Sequence, residues 1–219
     1  YIYFIFIYMK KYYDVIIFYS GASSSGANYQ LANLIKDGIL KSGVTVNDPI
    51  NVYNFKSKND KNALYLLDLI INSKAIILGT GDYNGNIEPP LLNFVDNYLK
   101  AGKSGLIDLS GIVAGMFVTS DDNNTGGQPI LNSLARLVMT FGANIVSGGS
   151  WHISQGVVGV MNKDKEWTSP YLKENANNYG FRVGKIASFF NDNYIKVMHN
   201  SIVENFENIK NNNINSKCI

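Results

Sequence analysis

Short apolar runs alternate along this chain with longer stretches in which apolar residues recur at helical spacing. The strongest runs lie at residues 14–19, 75–78 and 112–119, and weaker ones lie at 44–55 and 144–147. Strands that are apolar throughout are buried on both faces, which is typical of parallel sheets. The helical patterns follow these runs in turn, at residues 28–42, 61–72, 89–100, 128–141 and 170–190.

This βαβαβαβαβα order predicts an α/β domain in which helices cover both faces of a doubly wound parallel sheet. The run at 75–78 is expected to stop at Gly79, and residues 150–169 are expected to be irregular. Ligands of such sheets bind outside the carboxyl ends of the strands. The loops after residues 19, 79 and 119 are therefore the candidate site.

Composition excludes several classes of protein. Hydrophobic residues make up 46% of the 219 residues and charged residues 16%, so the chain can build a full core and is not disordered as a whole. A net charge of +2 without a Lys/Arg stripe argues against a nucleic-acid partner. The single cysteine, Cys218, cannot form an internal disulfide and has no metal-ligating neighbours, so we expect a reducing, cytoplasmic location and no metal site.

The two ends of the chain differ from its middle. Residues 1–8 (YIYFIFIY) are apolar and aromatic but too few to span a bilayer, and Met9 resembles a natural start. Upstream translated sequence, the stub of a longer leader and an extra strand are the three interpretations, and no other segment predicts a membrane helix. We expect an extension outside the fold at 1–10, one domain at 11–190, and an Asn-rich tail at 191–219 that is partly helical and then disordered.

The first candidate loop, residues 20–28 (SGASSSGAN), follows a core strand and opens a helix. Small residues let main-chain N–H groups converge, and the helix N-terminus adds partial positive charge, so the loop suits a phosphate. It matches neither the nucleoside-triphosphate nor the dinucleotide glycine pattern. The alternative is a flexible turn with a Ser N-cap. The candidate binding residues are Ser20, Ser23, Ser25, Gly26 and Asn28.

The second loop, residues 79–89 (GTGDYNGNIEP), combines glycines that allow close backbone approach with an aromatic ring and amide donors. Its GT-x4-GN pattern resembles WrbA-type NAD(P)H:quinone oxidoreductases, and DYNGNI is similar to the E-Y-N-G-S-I stretch of NADPH-dependent FMN reductases. The helix that follows, LLNFVDNY, resembles the L-K-N-x-x-D of both families. An ordinary Asn-Gly turn is the alternative. The candidate residues here are Gly81, Asp82, Tyr83, Asn84, Gly85, Asn86 and Ile87.

The third loop, residues 120–128 (SDDNNTGGQ), resembles the S-T-G-x-x-G-G-Q/G loop of the same families, whose backbone meets the pyrimidine edge of FMN. Asp121 and Asp122 depart from that pattern. They are either solvated loop carboxylates or a local negative charge that would disfavour the anionic reduced flavin. The candidate residues are Ser120, Asp121, Gly126 and Gly127.

The resemblance extends to residues 177–186, which are similar to the Y-Q-G-x-x-V-A-x-I segment of WrbA-like proteins. It implies a flavodoxin-like, three-layer sandwich with a five-stranded parallel sheet in the order 2-1-3-4-5. It also implies FMN as cofactor, NAD(P)H as reductant, a quinone or flavin as acceptor, and a homodimer or homotetramer. The first loop departs from both families, since it is longer than the WrbA-like loop and lacks the Arg of G-S-x-R.

The WrbA-like His before the end of the fourth helix is replaced by Thr140-Phe141, which leaves His152 as the candidate catalytic residue. Trp151 and Trp167 either cover the open face of the flavin or form part of a subunit contact, or they simply pack within a long loop. An electron-carrier flavodoxin is the rival function, although such carriers are strongly acidic and this chain is not. A flavodoxin-like scaffold that has lost flavin is a third interpretation.

Overall fold

The computed structural model describes residues 12–55, 66, 69–70, 72–96, 109, 111–121, 127–149 and 155–190. The strands are β1 (Val15–Tyr19), β2 (Ile50–Asn51), β3 (Ala75–Tyr83), β4 (Asn86–Ile87), β5 (Val113–Ser120), β6 (Asn144–Ile145) and β7 (Val157–Val160). The helices are α1 (Ala27–Lys41), α2 (Pro89–Phe94), α3 (Gly127–Thr140) and α4 (Leu172–Phe189).

One sheet contains all seven described strands. Its main path runs β2-β1-β3-β5-β6, with parallel pairing throughout. Strand β4 pairs antiparallel with β3, and β7 pairs parallel with β5. The predicted doubly wound parallel sheet is confirmed. The predicted count of five strands and their order are not exact, because β4 and β7 add two short strands that lie off the main path.

Apolar side chains leave the sheet on both faces, as the continuous apolar runs predict. In β1, Ile16 and Phe18 join a cluster with α2 and α3, whereas Val15 and Ile17 join a second cluster with α1 and α4. All four side chains are fully buried. Burial of each such side chain contributes about 1.5–3 kcal/mol, so the strands are held mainly by the helices on either side.

Strand β3 continues to Tyr83, so the predicted stop at Gly79 is wrong. The ring of Phe117 lies directly over Gly79 on the neighbouring strand, and a Cβ atom on Gly79 would come within 1.9 Å of its Cζ. Glycine is required here for close packing inside a continuous strand. Residue type alone suggested a strand end because glycine is usually found there.

The sheet edge beside β5 is divided between two strands. Strand β6 pairs with Val113 and Ala114, and β7 pairs with the segment from Phe117 to Ser120. The predicted irregular stretch at 150–169 therefore contains a strand, since β7 lies within it. Four residues, three valines and a glycine, are too short for a periodicity signal.

Helices α1 and α4 pack unusually closely on one face of the sheet. Cβ atoms placed on Gly38 and Gly180 would lie 2.0 Å from the carbonyl oxygens of Asn177 and Ile35, respectively. These two glycines let the backbones of the two helices touch.

Several predicted segments lie outside the described residues. They are the extension at 1–10, the tail at 191–219, most of the helix predicted at 61–72 and the last residues of the helix predicted at 89–100. No helix in the described part of the chain is both long enough and apolar enough to cross a bilayer.

Candidate functional site

The segments that follow β1, β3 and β5 meet at the carboxyl edge of the sheet. The main-chain N–H of Ser20 donates to the carbonyl of Gly79 at 3.0 Å. The hydroxyl of Ser120 donates to Oδ2 of Asp82 at 3.2 Å. Neighbouring parallel strands thus bring all three candidate loops to one place, which we call the crevice.

Asn28, in the first turn of α1, ties these segments together. Its Nδ2 donates to the carbonyl of Ser20 at 2.6 Å, and its Oδ1 accepts from the hydroxyl of Thr119 at 2.5 Å. Its amide is buried and holds partners at both ends. The side chain of Asn28 therefore positions the first loop against β5, and its contact with a cofactor stays a prediction.

The first loop ends at an uncapped helix. Gly26 is the N-cap residue of α1, no side chain in the described residues caps the helix, and its first turn holds no acidic residue. The alternative prediction of a Ser N-cap is therefore wrong. Ser23 instead accepts from the main-chain N–H of Ser25 at 3.2 Å, and both residues are exposed. The partial positive charge of the helix end stays open to an anion.

Ser20 stands at the base of this loop with its hydroxyl group enclosed. The residue is fully buried, and its Oγ has no hydrogen-bond partner among the described residues. A buried hydroxyl without a partner costs about 1–3 kcal/mol, so such an atom indicates a missing ligand or water.

The second loop is a tight antiparallel hairpin. Asn84 and Gly85 have φ values of 52° and 77°, and Tyr83 pairs with Asn86 across the turn. Two consecutive positive φ angles define a type I′ turn, for which Asn-Gly is the preferred sequence. Oδ1 of Asp82 accepts from the N–H of Gly85 at 2.8 Å and stabilises the turn.

The hairpin combines an exposed tip with a buried anchor. Tyr83 is 56% exposed, while Ile87 is buried and anchors the returning strand. A Cβ atom on Gly81 would meet only Nδ2 of Asn28, at 3.4 Å. The space beside Gly81 is therefore free for a flat ligand to approach the backbone.

Two residues that the sequence did not single out support this hairpin. Thr80 accepts a hydrogen bond from the N–H of Glu88 at 2.9 Å, which closes the hairpin onto α2. Oε2 of Glu88 is buried with no partner among the described residues. The polar threonine after the apolar run at 75–78 is the signal that could have identified Thr80.

The third loop is described only at its two ends. Ser120 is buried at the end of β5, and Asp121 is exposed beside it. Gly127 packs against Val158, so closely that a Cβ atom would lie 2.5 Å from its Cγ1. Gly126 lies outside the described residues.

The other sequence candidates lie apart from this crevice or outside the described chain. Trp151 and His152 fall outside the described residues. Trp167 packs against the cluster that includes Leu31, and its ring would touch a Cβ atom on Gly159. Its environment favours the packing interpretation. The described residues contain no cluster of His, Cys, Asp and Glu suited to a metal.

A separate cavity of about 500 Å³ lies at the outer edge of the sheet. Val157, Val158 and Leu172 line its apolar part, and Glu174 is among its polar residues. Of the residues in the three loops, only Gln128 reaches it. The crevice, which gathers all three loops, is therefore the better candidate site.

No protein-family model matches the chain, and no curated protein matches it significantly. Solved structures do match the chain. The flavodoxin, WrbA-like protein from Agrobacterium tumefaciens aligns with a TM-score of 0.59 and 20% identity, over 82% of this chain and 99% of its own. An oxidoreductase from Corynebacterium diphtheriae aligns with a TM-score of 0.62 and 13% identity, over 82% of this chain and 98% of its own. Oxidised flavodoxin 1 from Bacillus cereus aligns with a TM-score of 0.56 and 17% identity, over 78% of this chain and 97% of its own.

These similarities define the class of the protein. The chain has a flavodoxin-like α/β fold, and WrbA-like, flavodoxin and oxidoreductase proteins are among its structural neighbours. The flavodoxin-like fold implied by the sequence motifs is confirmed. At these identities the comparisons establish the fold, and the chemistry of the crevice has to be argued from its own residues.

Proposed function

We propose that the crevice binds FMN and that the protein is an NAD(P)H-dependent oxidoreductase that delivers electrons to a quinone or flavin. The observation that carries this proposal is the buried clamp at Asn28, which joins the first loop to the end of β5. A clamp of this kind fixes the first loop against the start of the third loop and lowers the cost of ordering them when a ligand binds.

The first loop fits the phosphate of FMN. It combines the uncapped N-terminus of α1 with the enclosed hydroxyl of Ser20, and neither has a partner among the described residues. Main-chain N–H groups and a helix dipole bind phosphate without a basic side chain. The absence of Lys and Arg from this loop is therefore compatible with the proposal.

The flavin ring would lie beside Gly81, at the edge of the sheet where the three loops begin. Gly81 leaves the backbone accessible, and Tyr83 offers an exposed aromatic face at the rim. When bound, FMN supplies the redox chemistry, accepting a hydride from NAD(P)H and passing two electrons to the acceptor. The chain positions the ring, and the acceptor gains two protons, one of them from solvent.

Titration of the purified protein with FMN and with riboflavin tests the binding. Riboflavin lacks the phosphate, so we expect it to bind more weakly. Ser24→Asp places a carboxylate at the N-terminus of α1, where it competes with phosphate, and should weaken FMN binding by about tenfold or more while leaving riboflavin unchanged. Ser133→Asp, an equivalent exposed change on α3, is the matched control. Equal affinity for both ligands, or no flavin uptake, would contradict the proposal.

Anaerobic oxidation of NADH or NADPH with a quinone tests the reaction. The FMN-loaded protein should oxidise one of the nucleotides at a rate that depends on the quinone, and the flavin-free protein should not. A protein that binds FMN but reacts with neither nucleotide would instead be an electron carrier.

A further inference from the structure

One face of α4 carries a row of exposed side chains, which we call the outer stripe. Its six members recur every three or four residues and are all exposed: Tyr171, Glu174, Asn178, Phe181, Lys185 and Phe189. Residues at this spacing share one side of a helix. The buried residues of α4, among them Tyr179 and Val183, belong to the cluster against the sheet, so the outer stripe points away from the sheet.

Three aromatic side chains of the outer stripe lie in solvent. Tyr171 is 67% exposed, Phe181 41% and Phe189 82%. The ammonium group of Lys185 lies 5.4 Å from the centre of the Phe181 ring, so this cation sits on the stripe as well. Single exposed apolar residues are normal on a protein surface, but three aromatic rings on one helix face indicate a contact surface.

Two opposite charges stand toward the two ends of the outer stripe. Neither Glu174 nor Lys185 forms a salt bridge with another residue in the described part of the chain. They are separated by three helical turns, or about 16 Å along the axis. The two groups therefore cannot pair within one helix.

The outer stripe is complementary to itself when two copies of α4 run antiparallel. Three pairs of residues are centred within half a residue of position 180, namely Glu174 with Lys185, Asn178 with Phe181, and Tyr171 with Phe189. A twofold axis at this position would match opposite charges with each other and aromatic rings with each other. It would also bring the two Phe181 rings close to the axis.

We propose that the outer stripe of α4 is the interface between two copies of this chain, packed antiparallel about a twofold axis. Such an interface uses the same patch twice, so it contains two pairs of Glu174 with Lys185 and two pairs of Tyr171 with Phe189. The family resemblance implies a homo-oligomer but assigns no surface to it. The inference does not depend on the binding of FMN.

The cavity at the outer edge of the sheet supports this pairing. Tyr171 and Glu174 line this cavity of about 500 Å³, and Leu172 belongs to its apolar part. In the antiparallel pair, Phe189 of the second copy lies opposite Tyr171 and reaches the mouth of the cavity. The most exposed ring of the outer stripe thereby gains apolar neighbours.

The size of the contact predicts a reversible dimer. An interface built around one 18-residue helix from each copy is small beside the roughly 1,200–2,000 Å² buried in stable complexes. Sedimentation velocity of the purified full chain, from about 1 to 200 µM, should show monomer converting to dimer as the concentration rises. Added salt should weaken the dimer, because it screens the two charge pairs.

Charge reversal tests the pairing directly. Glu174→Lys and Lys185→Glu each replace two attractive pairs by two repulsive ones, so each should raise the dissociation constant about tenfold. The double variant Glu174→Lys/Lys185→Glu recreates both attractive pairs and should restore the wild-type constant. Because the two residues are too far apart to interact within one helix, this rescue can arise only between copies.

Lys173→Glu/Glu174→Lys is the matched control for the rescue. It has the same net charge as the rescuing double variant and also changes two exposed residues of α4. It leaves a lysine opposite Lys185 of the second copy, so it should stay as weak as Glu174→Lys alone. Circular dichroism of each variant shows whether the fold is kept.

The aromatic part of the interface is tested by Phe181→Ser and Phe189→Ser. Each should raise the dissociation constant about tenfold or more, because burial of these rings in the dimer is lost. Met139→Ser changes a residue that is 53% exposed on α3, in the opposite helix layer, and should leave the constant unchanged.

Three results would overturn the inference. One is a chain that stays monomeric throughout the concentration range, as expected if the segment after α4 covers the outer stripe within the same copy. Another is a dimer whose dissociation constant does not respond to the charge reversals or to the serine variants. The third is a double reversal that fails to restore the constant. None of these results bears on the binding of FMN, which is measured separately.

Discussion

The hydroxyl of Tyr179 accepts a hydrogen bond of 2.9 Å from the main-chain N–H of Met116, a residue in the middle of β5. The same hydroxyl lies 3.4 Å from the carbonyl of Val146, to which it donates. Met116 sits where β6 has left β5 and β7 has not yet joined it. A side chain from α4 therefore replaces the missing strand at the gap.

Removal of this hydroxyl should destabilise the fold. Tyr179→Phe leaves the buried N–H of Met116 without a partner, so we expect the free energy of unfolding to fall by about 1–3 kcal/mol. Urea denaturation measures the change. Tyr171→Phe, at a residue that is 67% exposed, should change stability by less than about 0.5 kcal/mol. Similar losses in both variants would show that the gap does not need the hydroxyl.

The same residue should make stability depend on alkaline pH. Burial raises the pKa of Tyr179 far above its ordinary value, despite the hydrogen bond from Met116. Above a pH of about 10 the unfolded chain releases the hydroxyl proton of Tyr179, whereas the folded chain retains it. The stability that this residue contributes is therefore complete below that pH and is lost as the pH rises. The free energy of unfolding, measured by denaturation at several alkaline pH values, should fall less steeply with pH in Tyr179→Phe than in the wild type. In Tyr171→Phe it should fall as steeply as in the wild type.

A second side chain completes the sheet at its other edge. Oδ1 of Asn47 accepts from the N–H of Ile17 at 2.8 Å, beside the position where Pro49 interrupts the strand that leads to β2. Asn47→Ala should therefore cost about 1–3 kcal/mol of unfolding free energy. Asn132→Ala, on the exposed face of α3, is the control. A loss below about 0.5 kcal/mol for Asn47→Ala would contradict this role.

Contact between α1 and α4 should make a normally favourable substitution harmful. Alanine stabilises a helix interior by about 1 kcal/mol relative to glycine. At Gly38 the added Cβ would meet the main chain of Asn177, so we expect Gly38→Ala to destabilise the protein by about 1–3 kcal/mol. Asn178→Ala, on the exposed face of α4, should be neutral or stabilising. Thermal unfolding of both variants provides the measurement.

The clamp between α1 and β5 should support FMN binding, because it holds the first loop in place. Asn28→Ala and Thr119→Val each remove one side of the hydrogen bond, and each should weaken FMN binding by about twofold to thirtyfold, or about 0.5–2 kcal/mol. The double variant should lose less than the sum of the two, because both remove the same contact. Asn33→Ala on the same helix should bind FMN normally. Full additivity in the double variant would argue against the clamp.

Much of the fold could be predicted from residue patterns. The apolar runs at β1, β3 and β5 are long enough to identify buried strands, and the helices between them place the three following loops at one edge. Candidate positions such as Gly81, Tyr83 and Ser120 were singled out because their loops follow core strands and resemble loops of known families. Their contact with FMN stays a prediction.

The amino-acid sequence by itself determined the core strands β1, β3 and β5, the helices that follow them and which loops share an edge, because these depend on local periodicity and chain connectivity. Only the tertiary structure decided that Gly79 lies inside a strand, that β7 completes the split edge and that Tyr179 and Asn47 fill gaps in the sheet. Those features depend on pairs of residues far apart in the chain, such as Gly79 with Phe117 and Tyr179 with Met116. Packing and hydrogen-bond satisfaction at such pairs leave no periodic signal in either segment alone.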